Sequence, residues 1–358
     1  MLEAEVKFVF VTDLHGRTNN PISRKDDFPE TILKKLSWVV DYANSIDASI
    51  LCGGDWLNRP DTSATFIAKM CSILEGSNNA VIGVLGNHDL FGYNAKSFAR
   101  TPLAIAAACN NIHILGENEI DVCGGNSPVH IYISGSHSSP LIDRGGRTEE
   151  YYTPRKDKPK STDEVRIHIV HGFLTDKDWP DGVPYTKIDA VKDTDADILL
   201  AGHEHLGFGI KVDGDTIFCN PGALGRVSAG IGEINRDVKI AEITVQKRIN
   251  EEATYSVKLI ALPEDIALPA SDVLDREKIE LEKEMQKKIE GFAEQIRENS
   301  ADTVLKTLAS PDEAISAILS QDKFGEVEIN DSIRSTVLEY IGRAKELESE
   351  NRKKSKSE

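Results

Sequence analysis

The chain has 358 residues, 40% of them hydrophobic and 28% charged, the make-up of a soluble globular protein with length for one large domain and a smaller one. Its formal net charge of −17 argues against tight, extended binding of nucleic acid by this chain alone, because such binders present a basic face. Five scattered cysteines without a CxxC pair, no basic-then-apolar leader and no apolar run of ~20 residues speak against a disulfide framework, a zinc–cysteine site and a membrane span, so a reducing, cytoplasmic setting is expected.

From the N-terminus, the apolar run at 6–12 predicts a buried strand. Asp27 and Pro29 then mark a helix start, and Ile32, Leu33, Leu36, Val39, Val40 and Ala43 keep helical spacing after it. Residues 48–52 read as the next strand. Ser63 opens a second helix carrying Phe66, Ile67, Met70, Ile73 and Leu74, and 80–85, 130–134, 165–170 and 197–201 read as further buried strands. Strands alternating with helices predict an α/β layered domain. Beyond about Gly209, the runs 211–219, 238–245 and 254–262 are expected to form an antiparallel set closing the sheet. The first domain, 1–262, is thus two packed sheets flanked by helices.

After Pro263 the pattern becomes wholly helical over 263–348. Leu281, Met285, Ile289, Phe292 and Ile296 make an apolar stripe on a highly charged helix. Ser310-Pro311-Asp312-Glu313 is a capping box with proline at the first helical position, and Ile333, Val337, Ile341, Ala344 and Leu347 mark another amphipathic helix. Such an extension suits partner binding or capping. Residues 349–358 are polar and charged, a disordered tail by composition.

Five short segments stand where apolar runs end: Asp13-Leu14-His15, Gly54-Asp55, Gly86-Asn87-His88-Asp89, Val170-His171-Gly172 and Gly202-His203-Glu204-His205. A sheet delivers such side chains to a shared cleft at its carboxyl edge, and no packing requirement calls for them. Two divalent ions about 3.5–4 Å apart can clamp the attacking and leaving oxygens of a phosphoryl transfer. Asp13, His15, Asp55, Asn87, His171, His203 and His205 offer the mixed oxygen and imidazole donors for two ions, with one carboxylate shared. A set without cysteine suits manganese first, then iron or zinc. At i and i+2 of a strand end, the paired side chains of Asp13/His15 and His203/His205 would project to one side, and Gly54, Gly86, Gly172 and Gly202 would supply sharp turns. His113, His130, His137 and His168 lack this context and read as ordinary strand or loop residues. Glu204 reads as a solvated or supporting group, and the mixed-charge loop 144–160 as solvated. Arg17 and Arg226 lie close in sequence to these segments and are candidates to touch substrate.

In this order, the segments resemble the calcineurin-like metallophosphoesterase superfamily, whose pattern is D-x-H, G-D, G-N-H-[DE], H and G-H-x-H; the resemblance spans roughly residues 5–245. It implies a four-layer α/β/β/α sandwich and a dinuclear centre bridged by Asp55. Asp13, His15, Asp55 and His205 would hold one metal, and Asp55, Asn87, His171 and His203 the other. It also implies His88 as general acid, Asp89 as the carboxylate orienting it, and in-line attack on phosphorus by a metal-bridging hydroxide.

Gly54-Asp55-Trp56-Leu57-Asn58-Arg59-Pro60 departs from the G-D-x-x-D-R-G of protein phosphatases. With Gly53 before it and a helix after, it is more similar to SbcD-type DNA repair nucleases. That similarity implies a DNA exo/endonuclease acting with a coiled-coil partner ATPase of the SbcC kind, docked on the C-terminal helices; the chain itself has no Walker A motif. Two features run the other way. The extension reads as all helix where those nucleases' capping domain carries strands, and Asn220-Pro221-Gly222-Ala223 resembles the N-P-G segment of small-substrate phosphodiesterases. A cyclic nucleotide or other small phosphoester is therefore the alternative substrate. The nuclease relatives dimerise through helices beside the second and third motifs, which makes 66–74 and 98–108 either homodimer faces or core.

Overall fold

Runs of β-branched residues alternating with amphipathic helices fold into two stacked sheets. The computed structural model describes residues 1–109, 111–116, 119–144, 148–153, 159–180, 182–228 and 230–275, and further on 319, 323–324, 327–328, 331, 334–335, 337–338 and 341–342. In chain order the elements are β1 (Leu2–Val11), α1 (Phe28–Ser45), β2 (Ala48–Cys52), α2 (Ala64–Leu74), β3 (Val81–Gly83), α3 (Leu103–Ala108), β4 (His113–Ile114), β5 (Ile120–Asp121), β6 (His130–Ser136) and α4 (Thr148–Tyr152). Then come β7 (Glu164–Val170), β8 (Leu174–Thr175), β9 (Thr186–Lys187), β10 (Ile198–Ala201), β11 (Gly209–Asp213), β12 (Thr216–Asn220), α5 (Ile231–Asn235), β13 (Lys239–Arg248), β14 (Thr254–Ala261), α6 (Ala270–Val273), β15 (Lys323–Phe324) and β16 (Val327–Glu328).

One sheet has the order β14-β13-β1-β2-β3-β4, the other β11-β12-β10-β7-β6-β5. β1 to β4 run parallel, as do β6, β7, β10 and β12. Phe8, Phe10, Leu51, Ile131, Ile167, Leu200 and Ile243 interdigitate between the sheets. On the outer side of the first sheet, Ile32, Leu36, Val39 and Val40 of α1 and Phe66, Ile67 and Met70 of α2 pack on Val9, Val11 and Ile50. The outer side of the second sheet is covered more thinly, by α4, a turn at Ile188–Ala190 and loops around Phe218, Leu199 and Val170. This is the expected α/β/β/α layering.

Local signals set the helix starts. Asp27 caps α1 by accepting from Glu30 N, with Pro29 in the first turn, and Ser63 caps α2 through Thr65 N. The apolar face of α2 is core, with Phe66 4% exposed and Met70 fully buried, so it is not a free dimer face. Of the stretch 98–108, Leu103 and Ala106 are likewise buried.

Two expectations are corrected. The three late runs do not form one antiparallel set. Gly214, at φ 58°, opens a two-residue turn between Asp213 and Thr216, so 211–219 splits into the β11–β12 hairpin on the second sheet. β13 and β14 close the first sheet instead. Nor is 263–348 wholly helical, because β15 and β16 pair antiparallel. Parts of this region lie on the first domain: Leu319, Val337 and Leu338 pack with Leu141 and Tyr151, and Ile341 lies against Gly92. The stripe at 281–296, the capping box at 310–313 and the tail at 349–358 fall outside the described residues. Among the described residues, no helix is long and apolar enough to cross a membrane.

Candidate metal centre

All five segments sit just past the carboxyl ends of parallel strands: β1 delivers Asp13 and His15, β2 Asp55, β3 Asn87 and His88, β7 His171, and β10 His203 and His205. Because the two sheets stack with these ends together, the segments converge. Asp13, His15, Asp55 and His205 form one cluster, and Asp55, His171 and His203 a second. Asn87 joins the second, its Oδ1 lying 3.1 Å from His171 Nε2.

The backbone does not follow the strand-end geometry expected from sequence. Asp13, His15, Asp55 and His203 all have positive φ, between 50° and 74°, so their side chains are aimed by left-handed turns rather than by the pleat. Gly54 takes φ 96°. Gly86 has a different reason: a Cβ there would stand 2.0 Å from Asp55 Oδ1. Backbone bonds tie the loops together, with His15 N donating to Asp55 O (2.9 Å) and Asp13 N to Gly54 O (3.1 Å).

Asp55 is the centre of the arrangement. Its Oδ1 accepts from His88 N at 2.9 Å. Its Oδ2 is buried without a hydrogen-bond partner, yet stands 3.6 Å from His15 Nε2 and 3.5 Å from His171 Nε2. Asp13 Oδ2 accepts from Thr12 Oγ1 (2.7 Å) and His203 N (3.0 Å), which leaves Oδ1 facing His205 Nε2 at 3.7 Å. The Nε2 atoms of His15 and His205 face each other at 2.9 Å. His171 Nδ1 lies 2.7 Å from Gly53 O; donating there fixes the tautomer that presents Nε2 as a lone pair. A buried carboxylate oxygen without a donor, surrounded by imidazole nitrogens, fits two cations sharing Asp55.

Electrostatics agree with that crowding. Burial opposes ionisation of Asp55, but His171 and His88 beside it hold its carboxyl well below the usual range. Burial also opposes protonation of His171, which the Asp55 carboxylate overrides, pushing it up to about 10, so Nε2 offers its lone pair only to a cation that displaces this proton. Burial drives His203 down to about 3, helped by His171, and lowers His15 well below the ordinary range.

His88 stacks edge-on against His15, with ring centroids 4.8 Å apart. Asp89 does not orient it. The Asp89 carboxylate accepts from Trp56 N, Leu57 N and Gly86 N (3.3, 2.9 and 2.8 Å), so it ties the β2 and β3 loops together. His88 Nδ1 instead lies 2.8 Å from Asn58 O. The sequence reading missed Asn58 in this role, although it stands only three residues after Asp55. Asn58 Oδ1 also accepts from Arg17 Nη1 at 3.3 Å, which places Arg17 on the same loop. Arg226 faces elsewhere: it is 4% exposed, and its guanidinium donates to Leu268 O and Arg236 O. It pins the connection to α6 rather than the cleft. Glu204 is buried, not solvated, and accepts from Leu206 N and Gly207 N. His137, His168 and His130 have ordinary partners in Leu85 N, Ser134 Oγ and Asp121. The loop at 144–160 lies partly outside the described residues.

A metal-dependent phosphoesterase is the class this fold and cluster define. The family model of the calcineurin-like phosphoesterases matches residues 6–207, and the chain belongs to that family. No curated protein matches the sequence. Similar solved structures include TT1561 of Thermus thermophilus, at 13% identity and TM-score 0.38, covering 62% of this chain and 92% of that one. A hypothetical protein from Thermus thermophilus is 11% identical at TM-score 0.39, over 73% of this chain and 100% of its own. Vps29 of Chaetomium thermophilum is 12% identical at TM-score 0.28, over 72% and 100%.

Proposed function

We propose that this chain is a phosphodiesterase with a dinuclear metal centre and that its substrate is DNA. The observation that carries the reading is Asp55 Oδ2, buried, without a donor and flanked by His15 and His171 Nε2. On this reading Asp13, His15, Asp55 and His205 hold one cation and Asp55, Asn87, His171 and His203 the other, with Mn2+ the best fit to a nitrogen–oxygen set. When bound, the ions supply Lewis acidity toward phosphoryl oxygens and lower the pKa of water.

The chain's own groups do the rest. Gly53 O fixes the His171 tautomer, and Thr12 and His203 N hold Asp13 in place. His88 donates from Nδ1 to Asn58 O, which leaves its other nitrogen to protonate the departing oxygen of the cleaved ester. On this reading Arg17, whose Nη1 donates to Asn58 Oδ1, would meet a phosphate oxygen. Support for DNA comes from the Gly53–Pro60 resemblance to SbcD-type nucleases and from β15–β16, which brings strands to the C-terminal region as in their capping domains. A coiled-coil partner ATPase docked through the C-terminal helices belongs to the same reading. In the Asn220-Pro221-Gly222 segment, which resembles that of small-substrate phosphodiesterases, Asn220 Nδ2 donates to Glu204 O in the loop after β10 and Asn220 Oδ1 accepts from Gly222 N, so a small phosphoester remains the alternative substrate.

The test is a Mn2+-supplemented assay comparing linear DNA with bis(p-nitrophenyl) phosphate. Cleavage of both is expected. Intact DNA alongside hydrolysis of the small diester would remove the nuclease reading.

A further inference from the structure

Beside the metal cluster the cleft wall turns aromatic. Phe173 follows His171 by two residues and bridges to His203 through the backbone. Its ring meets the His203 imidazole edge-on at 5.7 Å between centroids and meets Trp179, also edge-on, at 4.9 Å. Both rings remain part-exposed. The backbone of Phe173 is fixed, with N donating to Asp143 Oδ2 (2.7 Å) and O accepting from Thr186 N (2.9 Å). Asp143 is in turn held by Thr186 Oγ1 and Tyr152 OH. Metal chemistry asks for no aromatic surface here, and leaving one half in water forfeits burial that the nearby core could supply.

We propose that Phe173 and Trp179 form a stacking wall for a nucleobase of a nucleotidyl phosphodiester whose phosphorus lies at the metal centre. The proposal rests on the phosphodiesterase reading and narrows its substrate class. Every base has a π-face, so such a wall binds without reading sequence. It also adds recognition that a bare phosphoester cannot use.

The test has a binding arm and a turnover arm. Chelator-treated whole protein is titrated with thymidine and with its abasic counterpart, 1,2-dideoxyribose, while tryptophan fluorescence is followed. Trp56 is buried with its Nε1 on Val84 O, and Trp38 stacks on Tyr42 in α1, so Trp179 is the responsive indole. Saturable quenching by thymidine alone is expected, absent in Trp179→Ala. In the Mn2+-loaded protein, Trp179→Ala should raise KM for a thymidine dinucleotide about tenfold or more with kcat little changed. Trp179→Tyr should restore it, and the abasic dinucleotide should not respond. Equal quenching by both ligands, or an equal loss on both dinucleotides, would overturn the wall. Base-dependent quenching without hydrolysis of either dinucleotide would support the wall and count against the phosphodiesterase reading alone.

Discussion

Asp13, His15, Asp55 and His203 adopt positive φ, a conformation costing a non-glycine residue about 1–2 kcal/mol. Four such residues in one cleft are strain held in place by the surrounding ladders and directed at function. The residue types of the centre were legible in the sequence, because Asp, Asn and His at strand ends have no packing reason. Their backbone was not legible, since nothing in Asp13 or His203 announces a left-handed turn. Nor was the partner of His88: a backbone carbonyl, here that of Asn58, leaves no mark on side-chain identity. Asp55→Asn keeps Oδ1 for His88 N but removes the shared charge, so the variant should fold, lose bound metal and fall at least about 100-fold in kcat/KM. Metal analysis and kinetics together check this. His88→Ala should cost about 100- to 10,000-fold on DNA, and much less on bis(p-nitrophenyl) phosphate, whose leaving group needs no proton. Equal losses on the two substrates, or no loss on either, would remove its role as general acid.

At the level of elements, α1 and α2 were readable from their caps and spacing, and the parallel strands from their apolar runs. The assignment of late strands to sheets was not: the Gly214 turn marks the β11–β12 hairpin, but no local signal says which of the two sheets each late strand joins. One strand residue carries a pH prediction. His168 on β7 is 2% exposed, and burial lowers its pKa from 6.5 to about 4 against the opposing Tyr151 carbonyl. The unfolded chain takes up this proton near pH 6.5 while the folded chain resists it. The stability contribution of a neutral His168 is therefore complete above pH 6.5. It falls by about 1.4 kcal/mol per pH unit below that and levels off near pH 4. Denaturant titrations from pH 7 to 4 should show this limb, to which the buried His137 also contributes, and His168→Gln should lower its slope by about 1.4 kcal/mol per pH unit. The Gly86 loop makes a sharper prediction. Gly86→Ala drives a methyl into Asp55 Oδ1, so it should destroy metal binding, whereas Gly125→Ala, with nothing within 4 Å, should be silent.

For the whole molecule, two stacked sheets with their carboxyl edges together gather ligands that are 192 positions apart in the chain, from Asp13 to His205. Metal binding is therefore coupled to the sandwich as a whole. Mn2+ at 100 times its Kd should stabilise the protein by about 2.7 kcal/mol per site, seen as a rise in Tm that chelator reverses and Asp55→Asn lacks. The net charge of −17 disfavours long phosphate tracks, so the chain alone should bind DNA weakly and with a shallow salt dependence. The central claim is that Asp55 is shared by two ions. Anomalous scattering from crystals soaked in Mn2+, recorded at the manganese edge, tests it most directly. Two peaks about 3.5–4 Å apart on either side of Asp55 Oδ2 are predicted, and a single peak, or two peaks that do not share Asp55, would contradict the account.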